Sequence, residues 1–152
     1  MNDITIRKAE ISDVPILLQF EQGIIKAERP FDPTLAPDPI SYYDIEKLIT
    51  DSLSKVVVAV IGDTIVGSGF GIVLDSKPYL AHKKYVNLHF MFTDPEYRGM
   101  GINSLIIQEL KQWAFAQNIF EIRLTVYDDN SSAIKAYEKA GFKKHIIEMR
   151  LL

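Results

Sequence analysis

With 152 residues the chain has the usual size of one domain, and 47% hydrophobic against 24% charged residues supply a full core and exclude a disordered chain. Seventeen Lys+Arg against twenty Asp+Glu leave a net charge of −3, which speaks against a dedicated nucleic-acid binder. The lack of cysteine excludes a disulfide framework, a thiolate nucleophile and a zinc–thiolate site; with no signal-like leader and no membrane-length apolar run, a single cytoplasmic domain over residues 1–152 is expected, with no membrane partner.

In chain order, Ile4-Thr5-Ile6-Arg7 alternates like a short strand. Ser12 or Asp13 then reads as a helix N-cap, with Pro15 in the first turn and Val14, Leu17, Leu18, Ile24 and Ile25 on or near one face. Residues 29–39, RPFDPTLAPDP, hold four of the seven prolines and must form a loop. A second helix is expected from Ser41 through Leu53, burying Tyr42, Ile45, Leu48, Ile49 and Leu53. Strands 56–61 and 64–74 flank Gly62-Asp63, a two-residue hairpin connection. Residues 85–92 read as a further strand ending at Asp94-Pro95. A helix opens at two glycines, with Ile102, Leu105, Ile106, Leu110, Trp113 and Ala114 at core-facing spacing. IRLTV (122–126) is again a strand. Asp128 to Ser131 can cap a last helix that carries Ala133, Ile134, Tyr137 and Ala140 and stops at Gly141. HIIEMRL (145–151) reads as a closing strand. The order β–α–α–β–β–β–α–β–α–β describes a mixed α/β sheet flanked by helices.

The stretch EYRGMGIN (96–103) carries the chemistry. A strand that passes through glycines into a helix N-terminus presents unpaired backbone N–H groups at the positive end of a helix dipole, which suits a pyrophosphate. A P-loop needs a lysine after its last glycine, whereas Ile102 and Asn103 follow Gly101 here. A dinucleotide site needs a third glycine where Ser104 stands, and Glu121 opens the next strand instead of ending it. Coenzyme A is the third ligand class: its pyrophosphate fits the turn, and its pantetheine amides can pair with a strand edge such as the end of 85–93. A ligand-free tight turn is the alternative reading of the same glycines.

FTDPEYRGMGINSLII (92–107) followed by LTVYDDNSSAIKAYEKAGF (124–142) closely resembles the GNAT superfamily of acyl-CoA N-acyltransferases. Two motifs in the right order and spacing carry the resemblance. It is strongest over 85–142, and the element order extends it along the chain. It implies a mixed, mostly antiparallel central sheet flanked by helices, acetyl-CoA as cosubstrate and, at family level, a homodimer. The family pattern [QR]-x-x-G-x-[GA] falls on Arg98-Gly99-Met100-Gly101-Ile102-Asn103, so backbone N–H groups across 98–103 are expected to bind the pyrophosphate. Asn103 replaces the usual small residue, which alters the approach to the phosphates more than the backbone contacts themselves. Main-chain groups around Met91 and Thr93 are expected to pair with pantetheine. Asn130 matches the family asparagine that contacts the same arm, although it also suits a helix N-cap. Tyr137 matches the tyrosine near the thioester sulfur, although it also suits the apolar face shared with Ala133 and Ala140.

Amine acetylation needs an uncharged nucleophile, and an amine of pKa about 10.4 carries a handicap of roughly 4.6 kcal/mol at pH 7. A nearby base and a cavity that disfavours ammonium offset it, while a strand N–H near Met91 or Phe92 can stabilise the oxyanion. Where many family members carry a glutamate on the strand before the glycine turn, alignment puts His89. The other common position for the base falls on Thr125, which cannot serve. His89 is therefore the candidate base, with a structural strand histidine as the alternative. Tyr137 is the candidate hydrogen-bond donor to the departing thiolate.

Acceptor identity is less legible. Glu28, Asp32, Asp38 and Asp44, interleaved with Phe31, Tyr42 and Tyr43, give residues 23–45 an acidic, aromatic cast that suits a cationic small molecule or peptide amine; a solvated proline-rich loop explains it equally well. His82, His89 and His145 lack metal-ligand spacing, and no metal is expected. The leading function is N-acetyl transfer from acetyl-CoA to a primary amine by direct transfer in a ternary complex, since no cysteine exists to carry an acyl group. A non-catalytic acyl-CoA-binding sensor or interaction module is the alternative from another class, supported by the missing acid at position 89.

Overall fold

A computed structural model describes residues 3–152. Five strands run in spatial order β1-β2-β3-β4-β5: Ile4–Lys8, Ser54–Ile61, Thr64–Asp75, Lys84–Thr93 and Ile122–Leu124. The first four pair antiparallel, and β5 joins β4 in parallel after a helical crossover. This is the expected mixed, mostly antiparallel sheet. Its β2–β3 hairpin turns at Gly62-Asp63, with Gly62 at φ +60° as a tight two-residue turn requires.

Four helices cover the sheet: α1 (Val14–Glu28), α2 (Ile45–Thr50), α3 (Ile102–Ala116) and α4 (Ser131–Lys139). Helices α1 and α2 pack on one face, where Leu17, Phe20, Ile45 and Ile49 meet Val56, Val58, Phe70 and Phe90. On the other face α3 lays Ile102, Ile106, Ile107, Leu110 and Ala114 against Val57, Ala59, Val66 and Leu88. Those α3 positions recur at helical spacing, and full burial of each large aliphatic side chain contributes about 1.5–3 kcal/mol. The close approach of α3 depends on alternate glycines in β3. A Cβ at Gly67 would lie 2.8 Å from Ile102 Cγ2, and one at Gly69 would lie 2.6 Å from Ile106 Cγ2.

Asp13 sits at the N-cap of α1, but its carboxylate serves the segment before the helix. It accepts the Glu10 N–H at 2.7 Å and takes the Arg7 guanidinium in a fork at 2.8 and 3.1 Å. The Arg7 bond holds its pKa below the usual aspartate value against the opposing effect of burial.

Several sequence expectations need correction. The second helix is Ile45–Thr50, capped by Asp44, because the buried Glu21 carboxylate claims the N–H groups of Tyr42 and Tyr43 and keeps that segment extended. Leu18, Leu53 and Leu105 are exposed to solvent instead of facing the core. Strand β5 stops at Leu124, short of Val126, because β4 and β5 diverge there. Residues 145–151 form no strand: the segment beyond Phe142 pairs with no part of the sheet. No helix among the described residues is long and apolar enough to cross a membrane.

Candidate functional site

The site begins with an irregularity in β4. Between the pairs Ser68–Phe92 and Phe70–His89, two residues of β4, Phe90 and Met91, stand opposite Gly69 alone. This β-bulge puts Phe90 at φ +62°, and the buried Ser68 hydroxyl donates to the Phe90 carbonyl at 3.1 Å. The extra residue reverses the strand's facing. Before the bulge, the Val86 N–H bonds to Glu121 on the β5 side; after it, the Asp94 N–H bonds to Val66 on β3. Strand alternation then turns the main-chain groups of Met91 and Thr93 away from β3. Pairing between β4 and β5 covers only Val86–Leu88 with Ile122–Leu124, so Met91 and Thr93 face an open cleft. Phe92 pairs with Ser68, and its ring packs tilted against Phe20 at 4.6 Å.

The cleft leads to the glycine turn. Pro95–Tyr97 makes one tight turn, fixed by the Asp94 carboxylate accepting the Glu96 N–H at 3.0 Å. Gly99 and Gly101 follow at φ +80° and +79°, and Gly101 is the N-cap of α3. Both need the left-handed region, while the space beside them is open: a Cβ at either would meet nothing within 4 Å. Among the described residues, the backbone N–H groups of 98–104 meet no backbone acceptor. Arg98, Gly99, Met100 and Gly101 are exposed, Ile102 is buried and Asn103 is half-buried. The result is a row of unpartnered donors at the N-terminus of a 15-residue helix, a ready anion site.

Asn130 caps α4, its side-chain oxygen accepting the Ala133 N–H at 3.2 Å. Tyr137 lies about two turns further on, packed edge-on to Phe142 at 6.0 Å. Burial, with a further contribution from the Glu28 charge, pushes the Tyr137 hydroxyl up to about 12, so it is protonated at neutral pH.

The loop after α1 closes the other end. Asp32 accepts the Tyr127 hydroxyl at 2.6 Å, and Phe31 stacks on the Tyr127 ring, which ties the loop to the chain just beyond β5. Gln22 donates to the Ile40 carbonyl at 3.0 Å, and Tyr43 reaches the bulge, touching the rings of Phe70, His89 and Phe90. Glu28, half-buried at the end of α1, is the electrostatic centre of this region. Burial raises the pKa of Tyr42, Tyr43, Tyr127 and Tyr137, and the Glu28 charge adds to the rise at each. Its own pKa is raised, first by desolvation, partly offset by Tyr42 and reinforced by Asp32. The buried Tyr42 hydroxyl lacks a partner in hydrogen-bonding geometry, yet it lies near enough to Glu28 for each to shift the other.

His89 stands at the edge of this group. Its Nε2 lies 2.8 Å from the Asn87 amide nitrogen, and its ring stacks on Phe70 at 5.0 Å. Burial lowers its pKa, so the ring is neutral at pH 7. The fold thus leaves Met91 and Thr93 on the unpaired side of β4, ahead of the glycine turn in the chain, with His89 on the α1–α2 side, Asn130 at the N-terminus of α4 and Tyr137 packed against the α3-side core. Tyr127 and the central position of Glu28 escaped the sequence reading; the run Leu124 to Asn130, which puts an aromatic three residues before the capping asparagine, was the available signal for the first. Among the described residues no group of three His, Asp or Glu side chains is placed to hold a metal.

A bulged strand whose pairing with its parallel neighbour stops early, followed by a helix N-terminus with unpartnered N–H groups, offers an unpaired edge and an anion site in succession. The chain matches the Acetyltransferase (GNAT) family over residues 22–142, and it belongs to that family. Solved structures agree on the fold. A tetramutant of the BH1408 protein from Bacillus halodurans superposes with a TM-score of 0.88 at 21% identity, covering 97% of this chain and 99% of that one. A predicted acetyltransferase from Clostridium acetobutylicum, solved with acetyl-CoA, gives a TM-score of 0.71 at 22% identity over 99% and 96% of the two chains. The aminoglycoside acetyltransferase meta-AAC0020, from an uncultured soil metagenomic sample, gives 0.75 at 17% identity over 98% and 95%.

Proposed function

We propose that this chain, as one domain, is an N-acetyltransferase that moves an acetyl group from acetyl-CoA to a primary amine by direct transfer in a ternary complex. The observation that carries the reading is the open edge of Met91 and Thr93 running into unpartnered N–H groups at 98–104. Backbone donors of Arg98 to Asn103 hold the pyrophosphate, Met91 and Thr93 pair with pantetheine, and Asn130 lends its amide group to the same arm. The thioester supplies the activated carbonyl. The amine nitrogen bonds to that carbon, a strand N–H at the bulge stabilises the oxyanion, and the carbon–sulfur bond breaks. Tyr137, protonated at neutral pH, donates a hydrogen bond to the leaving sulfur.

Two groups are candidates to accept the amine proton. His89 is neutral and able to do so, but its Nε2 is engaged by Asn87. Glu28 shares its field with Tyr137 and has a raised pKa, which brings it closer to the operating range of a general base. We assign the proton to Glu28, and with Asp32 it draws a cationic acceptor toward the cleft. The acceptors named for two similar folds, an aminoglycoside and glucosamine-6-phosphate, both carry amines.

Thermal-shift measurements with acetyl-CoA, coenzyme A, ATP and NAD test the cofactor. A ligand at a hundred times its dissociation constant adds about 2.7 kcal/mol, which is several degrees for a domain of this size. Stabilisation by acetyl-CoA and coenzyme A alone is expected; none at millimolar levels would remove the reading. Thiol release with a panel of polyamines, aminoglycosides and lysine peptides then tests turnover. Binding without release across the panel favours the alternative, a non-catalytic acyl-CoA-binding module, for which the engagement of His89 by Asn87 is the specific observation.

A further inference from the structure

Among the described residues only two other than glycine adopt a left-handed backbone, and one of them is Phe90 at φ +62°. A bulky residue seldom takes that region, so its surroundings must enforce it. Two side chains do so, one at each end of the residue. From β3, the buried Ser68 hydroxyl donates to the Phe90 carbonyl at 3.1 Å. From the segment before α2, Tyr43 sets its ring 5.3 Å from that of Phe90, with Phe70 at 5.1 Å and His89 at 6.2 Å. The Tyr43 hydroxyl accepts from the Phe90 N–H, which opposes the rise that burial imposes on its pKa.

Tyr43 is itself tethered. The Glu21 carboxylate on α1, 1% exposed, accepts the N–H groups of Tyr42 and Tyr43 through a single oxygen at 3.0 and 2.8 Å. Burying a carboxylate is costly without such bonds, so its purpose lies in the segment it holds. The next residue of α1, Gln22, donates to the Ile40 carbonyl at 3.0 Å and fixes the same segment a few residues earlier. Both peptide planes that flank Phe90 are therefore restrained from outside β4. The second plane matters most, because the Phe90 carbonyl and the Met91 N–H share it and point in opposite directions. Ser68 holds the carbonyl toward β3, which sends the Met91 N–H to the unpaired side of the strand.

We propose that Tyr43, anchored by Glu21, and Ser68 are positioning residues for acyl transfer: by fixing the Phe90 peptides from two sides they aim the Met91 N–H at the thioester carbonyl oxygen. The inference rests on the acyl-transfer reading above. An N–H donor gains most when negative charge develops on that oxygen in the tetrahedral state, and less from the planar thioester. Misaiming it therefore slows turnover and leaves ground-state affinity nearly intact. The arrangement also ties the segment that closes the acceptor loop to the group that stabilises the oxyanion, through one aromatic side chain.

Tyr43→Phe and Ser68→Ala each delete one hydroxyl and leave the ring or the strand in place. Each should lower kcat for amine acetylation about tenfold, with KM for the amine and Kd for acetyl-CoA within about twofold of the parent. A second readout needs no acceptor. The carbonyl stretch of carbon-13-labelled acetyl-CoA should shift to lower frequency in the parent complex and move back toward its free value in both variants. Ile49→Val, on the same core face, should leave that frequency unchanged. Glu21→Gln still offers an oxygen to both N–H groups and should behave as the parent, whereas Glu21→Leu should reproduce the Tyr43→Phe loss. Parent kcat and carbonyl frequency in Tyr43→Phe overturn the inference, as does a loss confined to Tm. A parent chain that binds no acetyl-CoA removes the acyl-transfer reading and this inference with it; turnover in the parent with unaffected variants removes this inference alone.

Discussion

At the scale of single residues, the site turns on hydroxyls and carboxylates whose protonation is set by burial. Tyr137 remains protonated because its hydroxyl is desolvated and faces the Glu28 charge. Tyr137→Phe removes the donor and little of the ring's packing, so turnover should fall roughly 10- to 100-fold while acetyl-CoA affinity changes less. Equal losses in kcat and in affinity would remove the proposed role. Glu28 gives a prediction with a defined sign. Its folded pKa is raised above the unfolded value of about 4.3, so stability is fully present below that value and declines as pH rises through the folded one. Glu28→Gln should therefore raise Tm at neutral pH, with the difference vanishing in acid. The same substitution should remove the acid limb of the pH–rate profile and lower kcat/KM by on the order of a hundredfold. A parent-like profile in the variant would shift the proton to His89.

Elements act through the shapes they impose on one another. The β4 bulge decides which main-chain groups open into the cleft, and Gly69, opposite it, touches both α3 and Met91. A Cβ at Gly69 would stand 2.6 Å from Ile106 and 2.8 Å from the Met91 sulfur. Gly69→Ala should cost about 1–3 kcal/mol by overpacking, read as a Tm drop of several degrees. Gly101→Ala acts differently, because the space beside it is open and only its φ of +79° resists a side chain. Its stability cost should be roughly 1–2 kcal/mol, but relaxation of the turn re-aims the N–H groups and should weaken acetyl-CoA binding about tenfold. Titration of coenzyme A against both variants separates the two effects: Gly69→Ala should lose chiefly stability, Gly101→Ala chiefly affinity.

In the proposed reading, the whole molecule combines a phosphate-binding end with an acidic acceptor end. Glu28 and Asp32 lie at the acceptor end, within a chain of net charge −3. KM for a cationic amine should accordingly rise with ionic strength as screening shortens the reach of these carboxylates, while KM for a neutral acceptor should hardly move. Steady-state kinetics between about 0.05 and 0.5 M salt check this, a range over which the Debye length falls severalfold toward a few ångströms.

Much of this architecture was legible because it rests on local rules. The alternation of β1 to β4, the stripe on α3, the Gly62-Asp63 hairpin and the glycine turn each follow from periodicity or from a backbone angle only glycine adopts readily. Asn130 as the cap of α4 is of the same kind. Tertiary structure alone decided the rest. Tyr42 and Tyr43 stay out of α2 because a carboxylate 21 and 22 residues earlier in sequence claims their N–H groups. The bulge that faces Met91 and Thr93 outward needs the Ser68 hydroxyl from a neighbouring strand. Glu28 acquires its raised pKa only when loops distant in sequence desolvate it, and 145–151 has a strand's pattern but no partner within its own fold. Periodicity records what one segment prefers; partner choice is settled by which distant groups arrive beside it.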